Sequence, residues 1–414
     1  MEKTFNINAG NAILLNDRAE VFAGYDSVKI NAGHVLASRK VYEKLIGMNV
    51  FINSGNVKII DIEGEIVELA ANTVITAAMS YDGCFLVCDG NLVIEDAKGL
   101  KDITGIYAKT IFHAESIDIS NIKGINSSSR VVYPDEAKLR FGEITLGEDT
   151  HLTLEDNALY WVHGRMKALD SGAVEKMRQK KTSFHCKQLI IHTGLHEKYG
   201  DMFKADNYIF VPDGHAVVGD ITLDAATSLL YGDQIFVLGN LTIPHDQTSH
   251  LQGFSSLIVN GTVIMPVSAA ADFKAGGKAN HYDLYEGVLM DVNGFQTLGH
   301  EQLQTAIEKG ISYTLRINGT LYMFSDVTAQ DIDAIAAVDC NGLISAPGGA
   351  RGALDSKVRR MNGTILDIDA MMKKLYGDDF SFGEDPIGTI MKMIGKMNGN
   401  ENGGSSVNVA TYKL

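Results

Sequence analysis

The sequence predicts a β-solenoid, stacked parallel coils of about 20–26 residues with short helices in some connections and a leucine-rich-repeat-like C-terminal arm. Three observations predict it. The first is a phrase repeated near the start, Ile7-Asn8-Ala9-Gly10, Ile30-Asn31-Ala32-Gly33-His34-Val35-Leu36 and Ile52-Asn53-Ser54-Gly55, with glycines 23 and 22 residues apart. The second is its return as Val259-Asn260-Gly261-Thr262-Val263, Ile317-Asn318-Gly319-Thr320-Leu321, Cys340-Asn341-Gly342-Leu343-Ile344 and Met361-Asn362-Gly363-Thr364-Ile365, where the glycines are 58, 23 and 21 apart. The third is the apolar-x-apolar alternation on both sides of each Asn-Gly or Asn-x-Gly, a strand signal that places Val259, Ile264, Leu315, Ile317 and Leu321 in the core. Asn-Gly between two strands can also close a hairpin, but hairpins have no reason to recur at a fixed period. Read as a corner, the glycine is expected to supply positive φ and the asparagine to tolerate it. Stacked in register, Asn31 should lie over Asn53 and Asn318 over Asn341 as amide ladders.

In chain order, residues 1–165 read as an N-terminal arm. Its first units are interrupted by a helix that Ser38 caps and whose Val41, Leu45 and Ile46 share a face. Gly64-Glu65-Ile66-Val67 and Asp89-Gly90-Asn91-Leu92-Val93-Ile94 continue the strands. From 96 to 163 the phrase blurs, but Ile117-Asp118-Ile119 and Leu152-Thr153-Leu154 keep the alternation and read as worn coils.

Residues 166–380 read as a C-terminal arm opening with a helix over 166–182, around Val174 and Met177. Plain strand units follow at Gly219-Asp220-Ile221-Thr222-Leu223, Gly239-Asn240-Leu241-Thr242-Ile243 and Gly261-Thr262-Val263-Ile264-Met265. Over residues 215–265 these resemble the coils of bactofilins, bacterial β-helical filament proteins, a likeness that implies β-helical turns there. Beyond Gly294, helices are expected over His300–Lys309, after the capping box Thr328–Asp331 ahead of Ile332, Ile335 and Ala336, and from Asp355 through Val358 and Met361. Helix, strand, then Asn and an aliphatic residue over 300–376 resembles the leucine-rich-repeat plan, with Gly after Asn as a departure from it. Residues 381–414 form a tail. Pro386 starts a helix with Ile387, Ile390, Met391, Ile394 and Met397 on one stripe, followed by a linker to Ser406 and a strand-like end, Val407–Leu414. That strand is expected to add to a free sheet edge of its own chain or of a neighbour, and so to join subunits or dock a partner.

Composition limits the function classes. Lysine and arginine number 36 against 51 acidic residues, a net charge of −15, which disfavours nucleic acid and anionic membrane surfaces. No segment has the apolar length of a membrane span or a signal core, so a cytoplasmic protein is expected. Cys84, Cys88, Cys186 and Cys340 show no framework spacing and read as reduced core thiols. The sequons at Asn240, Asn260, Asn318 and Asn362 fall in the repeat's own turns and read as corner chemistry.

Three groups could carry chemistry. His185, Cys186, His192, His196 and Glu197 are zinc-type ligands, but Gly194 argues against one helix presenting His192 and His196, and a surface loop is expected. Asp201, Asp206, Asp213, Asp220, Asp224 and Asp233 could supply paired carboxylates across a groove, or ordinary turn bonds. Pro347-Gly348-Gly349-Ala350-Arg351-Gly352, running into a helix with Lys357, Arg359 and Arg360, could hold an anion, or be a plain connection with a solvated basic face. Nucleophile-elbow, dinucleotide and acyltransferase motifs are lacking, so no cofactor, metal or catalytic residue is expected. The reading is a non-catalytic interaction or structural scaffold, a rigid acidic array that binds protein partners or self-assembles. The alternative is a groove-type solenoid enzyme acting on a carbohydrate or other polar substrate. A cleft with convergent polar side chains free of structural work would separate the two.

Overall fold

The computed structural model describes residues 3–120, 122, 124–367 and 405–414. Among these, mostly parallel strands gather into six separate sheets joined by turns and short helices, and no sheet closes into a barrel. The chain divides into two compact units, Met1–Arg140 with Asn157–Trp161 and Phe382–Leu414, and Phe141–Asp156 with Val162–Ser381.

In the first unit the repeated phrase makes three long strands, β1 (Thr4–Leu14), β2 (Ser27–Ser38) and β3 (Val50–Ile60). They pair in parallel with Ile7 on Ile30 on Ile52 and Asn8 on Asn31 on Asn53. A slip by one residue would turn Ile7 and Ile30, both fully buried, to the outside, so the apolar pattern pins the register. The asparagines form the expected ladder. Asn31 Nδ2 donates to Asn8 Oδ1 at 2.9 Å, and Asn53 Nδ2 to Asn31 Oδ1 at 3.2 Å. Ser38 accepts from the Val41 N–H and starts the helix Arg39–Gly47, whose Val41 and Leu45 pack into the cluster of Ile7, Ile30 and Val35. Ile46 is 51% exposed, contrary to the sequence reading, because the helix lays only its i, i+4 pair on the sheet and Ile46 follows a third of a turn later.

The terminal strand Ser405–Lys413 completes this sheet on the far side of β1, with Val407 beside Ile7. Leu414 O accepts from the N–H groups of Leu15 and Asn16 at 3.1 and 2.9 Å, and Lys413 pairs with Glu68 at 2.7 Å. The tail therefore takes the edge of its own chain. The helix expected from Pro386 and the linker up to residue 404 lie outside the described residues.

A second sheet follows, with β4 (Glu65–Leu69), β5 (Thr73–Ile75), β6 (Cys84–Ile94), β7 (Gly105–Ala114) and β8 (Ile125–Tyr133) in the order β4-β6-β7-β8 and β5 also on β6. The two sheets meet through Ile13, Leu36 and Ile60 against Phe85 and Val87. The stretches expected as worn coils are not strands. Ile117–Ile119 lies in the β7–β8 connection, where Asp118 accepts from the Ser120 N–H at 2.8 Å and turns the chain. Leu152 and Thr153 belong to the helical turn Thr150–Thr153.

In the second unit the expected helix is shorter and later. Leu159–Ala168 is a strand with Met166 and Ala168 fully buried, and Asp170, accepting from the Ala173 N–H at 3.0 Å, starts the helix at Ser171–Gln179. Ile221, Leu241 and Val263 stack in register. Ile264, expected in the core, is half-buried, while Val263 and Met265 on either side are inside, so the strand phase after Gly261 is one residue off the sequence reading. Val259, Leu315, Ile317 and Leu321 are buried as expected.

Beyond residue 287 two four-stranded parallel sheets run side by side in sequence. Val288–Val292, Tyr313–Ile317, Ile335–Cys340 and Val358–Met361 form one, and Phe295–Leu298, Thr320–Met323, Leu343–Ser345 and Thr364–Leu366 the other. At the corners between them Asn318 donates to Asn293 at 2.9 Å, Asn341 to Asn318 at 3.1 Å and Asn362 to Asn341 at 3.1 Å. The corner glycines do not use positive φ, contrary to expectation. A Cβ on Gly319, Gly342 or Gly363 would stand 2.0, 1.9 or 2.0 Å from the carbonyl oxygen of the glycine one repeat earlier, so close backbone approach sets the requirement.

Two helix readings here also need correction. Thr328 and Asp331 do exchange capping bonds, Thr328 N to Asp331 at 2.7 Å and Asp331 N to Thr328 Oγ1 at 3.4 Å, but they hold only the single turn Asp331–Ala334, and Ile335 opens a strand. Asp355 ends a helix instead of starting one. The helix is Gly348–Asp355, set off by Pro347, and Val358–Met361 pairs as a strand with Val338 and Cys340.

Candidate functional site

Where β1–β3 meet the second sheet, their polar margins leave a cleft of about 390 Å³, within the size range of small-ligand sites. Each side follows from strand alternation. On one side Asn11, His34 and Asn56 occupy the same register position on successive strands, one residue after the glycine of the phrase. On the other are Tyr107, Lys109 and Thr110 of β7 with Asp89, Ser128 and Ser129, and Ile13 and Leu36 supply the apolar floor.

Part of this polar lining is committed. Asp89 pairs with Lys109 at 2.9 Å, and Thr110 bonds Ser129 at 2.9 Å. Lys58 Nζ stands 5.9 Å from the Tyr107 ring centroid, a cation–π contact. Burial pushes the Tyr107 phenol above its ordinary range, with the Asp89 carboxylate adding to it. The side chains of Asn11, His34, Asn56 and Ser128 make no hydrogen bond or ion pair among the described residues. Among the described residues Asp89 is the one carboxylate lining the cleft, and hydrolysis of a glycoside by paired carboxylates needs two.

The expected site residues lie elsewhere, in the second unit. His185 and Cys186 are neighbours on the strand Ser183–His192 and point to opposite faces, so this is not the loop that was expected. His185 meets Asp206 at 3.6 Å, and burial holds its imidazole below the ordinary range. Cys186 is buried and its thiol is pushed up to about 12, the state of a core residue. His192 precedes the helix Thr193–Tyr199, which accommodates Gly194, and its Nδ1 is 3.3 Å from Pro212 O. His196 packs edge-on against Tyr208 and Phe210. No group of three or more His, Cys, Asp or Glu among the described residues is placed to hold a metal ion.

The acidic series is spent on neighbouring repeats. Asp201 pairs with Arg178, Asp213 accepts from the Gly194 N–H at 3.0 Å, Asp220 from the Asn240 N–H at 2.6 Å and Asp233 from Ser255 Oγ at 2.6 Å. Asp224 bonds Thr227 Oγ1 at 2.7 Å within its own turn.

The glycine-rich run Pro347–Gly352 lies mostly inside the helix Gly348–Asp355 and does not lead into a basic one; Lys357 is in the turn after it, and Arg359 and Arg360 are on the next strand. Arg351 pairs with Asp355 at 3.8 Å. Arg359 forks onto Asp339 and donates to Leu284 O at 2.8 Å, while Arg360 and Arg316 reach Asp283 at 3.3 and 2.6 Å. Along one row of the sheet Asp291, Arg316, Asp339 and Arg360 follow one another in register, alternating in sign. Burial raises the Asp339 carboxyl, but the Arg359 guanidinium outweighs it and holds it below the usual range. These arginines neutralise the array's own carboxylates.

Two features escaped the sequence reading. The cleft margin was signalled by a polar residue after the glycine in three successive repeats. The other is the helix Thr227–Tyr231, whose Leu229, Leu230 and Tyr231 are 86%, 71% and 42% exposed. Its only signal was an apolar triplet between Asp224 and Gly232. No helix among the described residues is long and apolar enough to cross a membrane. No protein-family model, curated protein or solved structure matches the chain, so its likeness to bactofilin coils and leucine-rich repeats rests on their phrases alone.

Proposed function

We propose that the chain is a β-solenoid scaffold without catalytic activity, a stiff acidic array that docks a protein partner. The observation that carries this reading is the Leu229-Leu230-Tyr231 triplet. A run of exposed large apolar side chains adds nothing to folding and marks a contact surface. Aromatic and aliphatic residues of this kind are the usual anchors of an interface. Asp224 and Asp233 flank the triplet in the chain, and the net charge is −15, so the partner would offer an apolar pocket with a basic rim. In-register repeats offset by 22 and 23 residues, asparagine ladders and carboxylates bonded one repeat away support the stacked-coil architecture.

The test is proximity labelling in native cells with the intact chain and with Leu229→Ser/Leu230→Ser, together with light scattering of both. The reading expects proteins labelled by the intact chain to be lost from the double variant at equal thermal midpoint. An identical labelled set would overturn the docking role, and a drop in mass of the variant in solution would identify the partner as a second copy.

A further inference from the structure

We infer that the cleft between β1–β3 and the β6–β8 sheet binds a short saccharide bearing a carboxylate. This goes beyond the docking proposal and uses none of its residues. The two sides of the cleft differ in readiness. On the β7 side the strong groups are internally paired, Asp89 with Lys109 and Thr110 with Ser129, and this fixes their positions. On the other side Asn11, His34 and Asn56 repeat from strand to strand and make no side-chain bond among the described residues. Strands are spaced about 4.8 Å apart, comparable with one sugar residue of an extended chain. A row of amides and an imidazole at that spacing offers donors and acceptors to successive hydroxyls, as a repeating polyol requires.

Charge selects within that class. Lys109 is neutralised by Asp89, which leaves Lys58 as the cation lining the cleft without a carboxylate partner among the described residues. Its one recorded contact is with the Tyr107 face. An anionic group on the ligand would complete Lys58, and the Tyr107 ring beside it offers an apolar face to a sugar ring. A purely apolar ligand would strand the amides, and a dianion would find one uncompensated positive charge. Asp89 is engaged, and among the described residues no second carboxylate lines the cleft to pair with it, so the inference is one of binding.

The probe is a trisaccharide carrying a single uronate, 4-O-methylglucuronosyl-xylobiose, titrated into the full chain by calorimetry and by ligand-observed magnetic resonance at low salt. The wild-type chain should bind it, and Lys58→Met should weaken binding about tenfold or more, the worth of one charged hydrogen bond. His34→Ala should weaken both the acid and its methyl ester, while Lys58→Met should leave the ester's affinity unchanged. Both side chains are exposed, so neither change should shift the melting midpoint. Absence of binding, or affinity for the acid unchanged in Lys58→Met, would overturn the assignment. Equal displacement by acetate or inorganic phosphate would overturn it too, by reducing the cleft to a plain anion site.

Discussion

Two spellings of one phrase, Asn-x-Gly in the first unit and Asn-Gly in the second, are folded in two ways. In the first unit the chain runs through it without leaving the sheet. β1, β2 and β3 are single strands of 11, 12 and 11 residues, and a Cβ on Gly55 would meet Gly33 O at an ordinary 3.8 Å. In the second unit the phrase is a true corner that splits each repeat into two short strands in two sheets, with Gly342 pressed to a would-be contact of 1.9 Å on Gly319. Both versions carry the asparagine ladder, so the ladder does not require the corner. What the difference teaches is that glycine here answers to the backbone beneath it. At the corners it is obligatory, and where the strand runs on the demand is weaker and uneven, with a Cβ on Gly33 at 2.9 Å from Gly10 O and one on Gly55 clear of any close contact.

The largest effect should be one the two units share. Ile317 and Ile30 are both fully exposed to the core and closed to solvent, so Ile317→Ala and Ile30→Ala should each destabilise their own unit by roughly 2–5 kcal/mol. Hydrogen exchange by mass spectrometry, which reads each unit separately, would check this. Unchanged protection of the 313–345 strands in Ile317→Ala would mean that the core has been placed on the wrong face.

Next comes the substitution on which the units should differ in sign. Gly342→Ala must move backbone and should cost about 1–3 kcal/mol. Gly55→Ala meets no obstacle and should be neutral or stabilising by about 0.4–1 kcal/mol, through the reduced freedom of the unfolded chain. Equal losses in urea midpoint for the two variants would erase the distinction between corner and run-through strand.

A smaller effect concerns pH. The buried carboxylates among the described residues, Asp331 and Asp339, both belong to the second unit. Burial opposes the charge of Asp331, but bonds from His300 Nδ1, the Thr328 N–H and Gln304 outweigh it and hold the carboxyl well below the ordinary range. A depressed carboxyl contributes stability that is present above its unfolded value, about 3.9, and lost as pH falls through the folded value. His300 is raised by the same bond, so its share is full below its unfolded value of about 6.5 and fades as pH rises through the folded value. Acid titration followed by hydrogen exchange should therefore loosen residues 300–340 before β1–β3. His300→Asn should abolish the decline on the neutral-to-alkaline side; a variant that keeps it would assign the decline to another group.

Much of the repeat was legible because it is written twice over, in glycine spacing and in alternation. Ile317 could be placed inside from the alternation, and Asn31 over Asn53 from the period. Helix limits were harder to read, since Thr328 and Asp331 make real capping bonds and yet the β propensity of Ile335 and its neighbours, paired to Tyr313, Thr314 and Leu315 on the preceding strand of the sheet, stops the helix after one turn. Phase across a corner was lost at Ile264 because glycine carries no side chain to count with. The site was least legible. A cleft between sheets depends on which strand positions face each other at long range, and no local pattern joins His34 to Tyr107.

The seating of Ser405–Lys413 on β1 ties the earliest strand to the latest one. During synthesis β1 lacks its outer neighbour until residues 405–414 have emerged, which at about 5–20 residues per second is roughly 20–80 s after β1 itself. During that interval β1 presents an unsatisfied edge, a surface that chaperones and proteases read. Synthesis of residues 405–414 is thus the event that closes this sheet, and a chain interrupted before them would keep the β1 edge open.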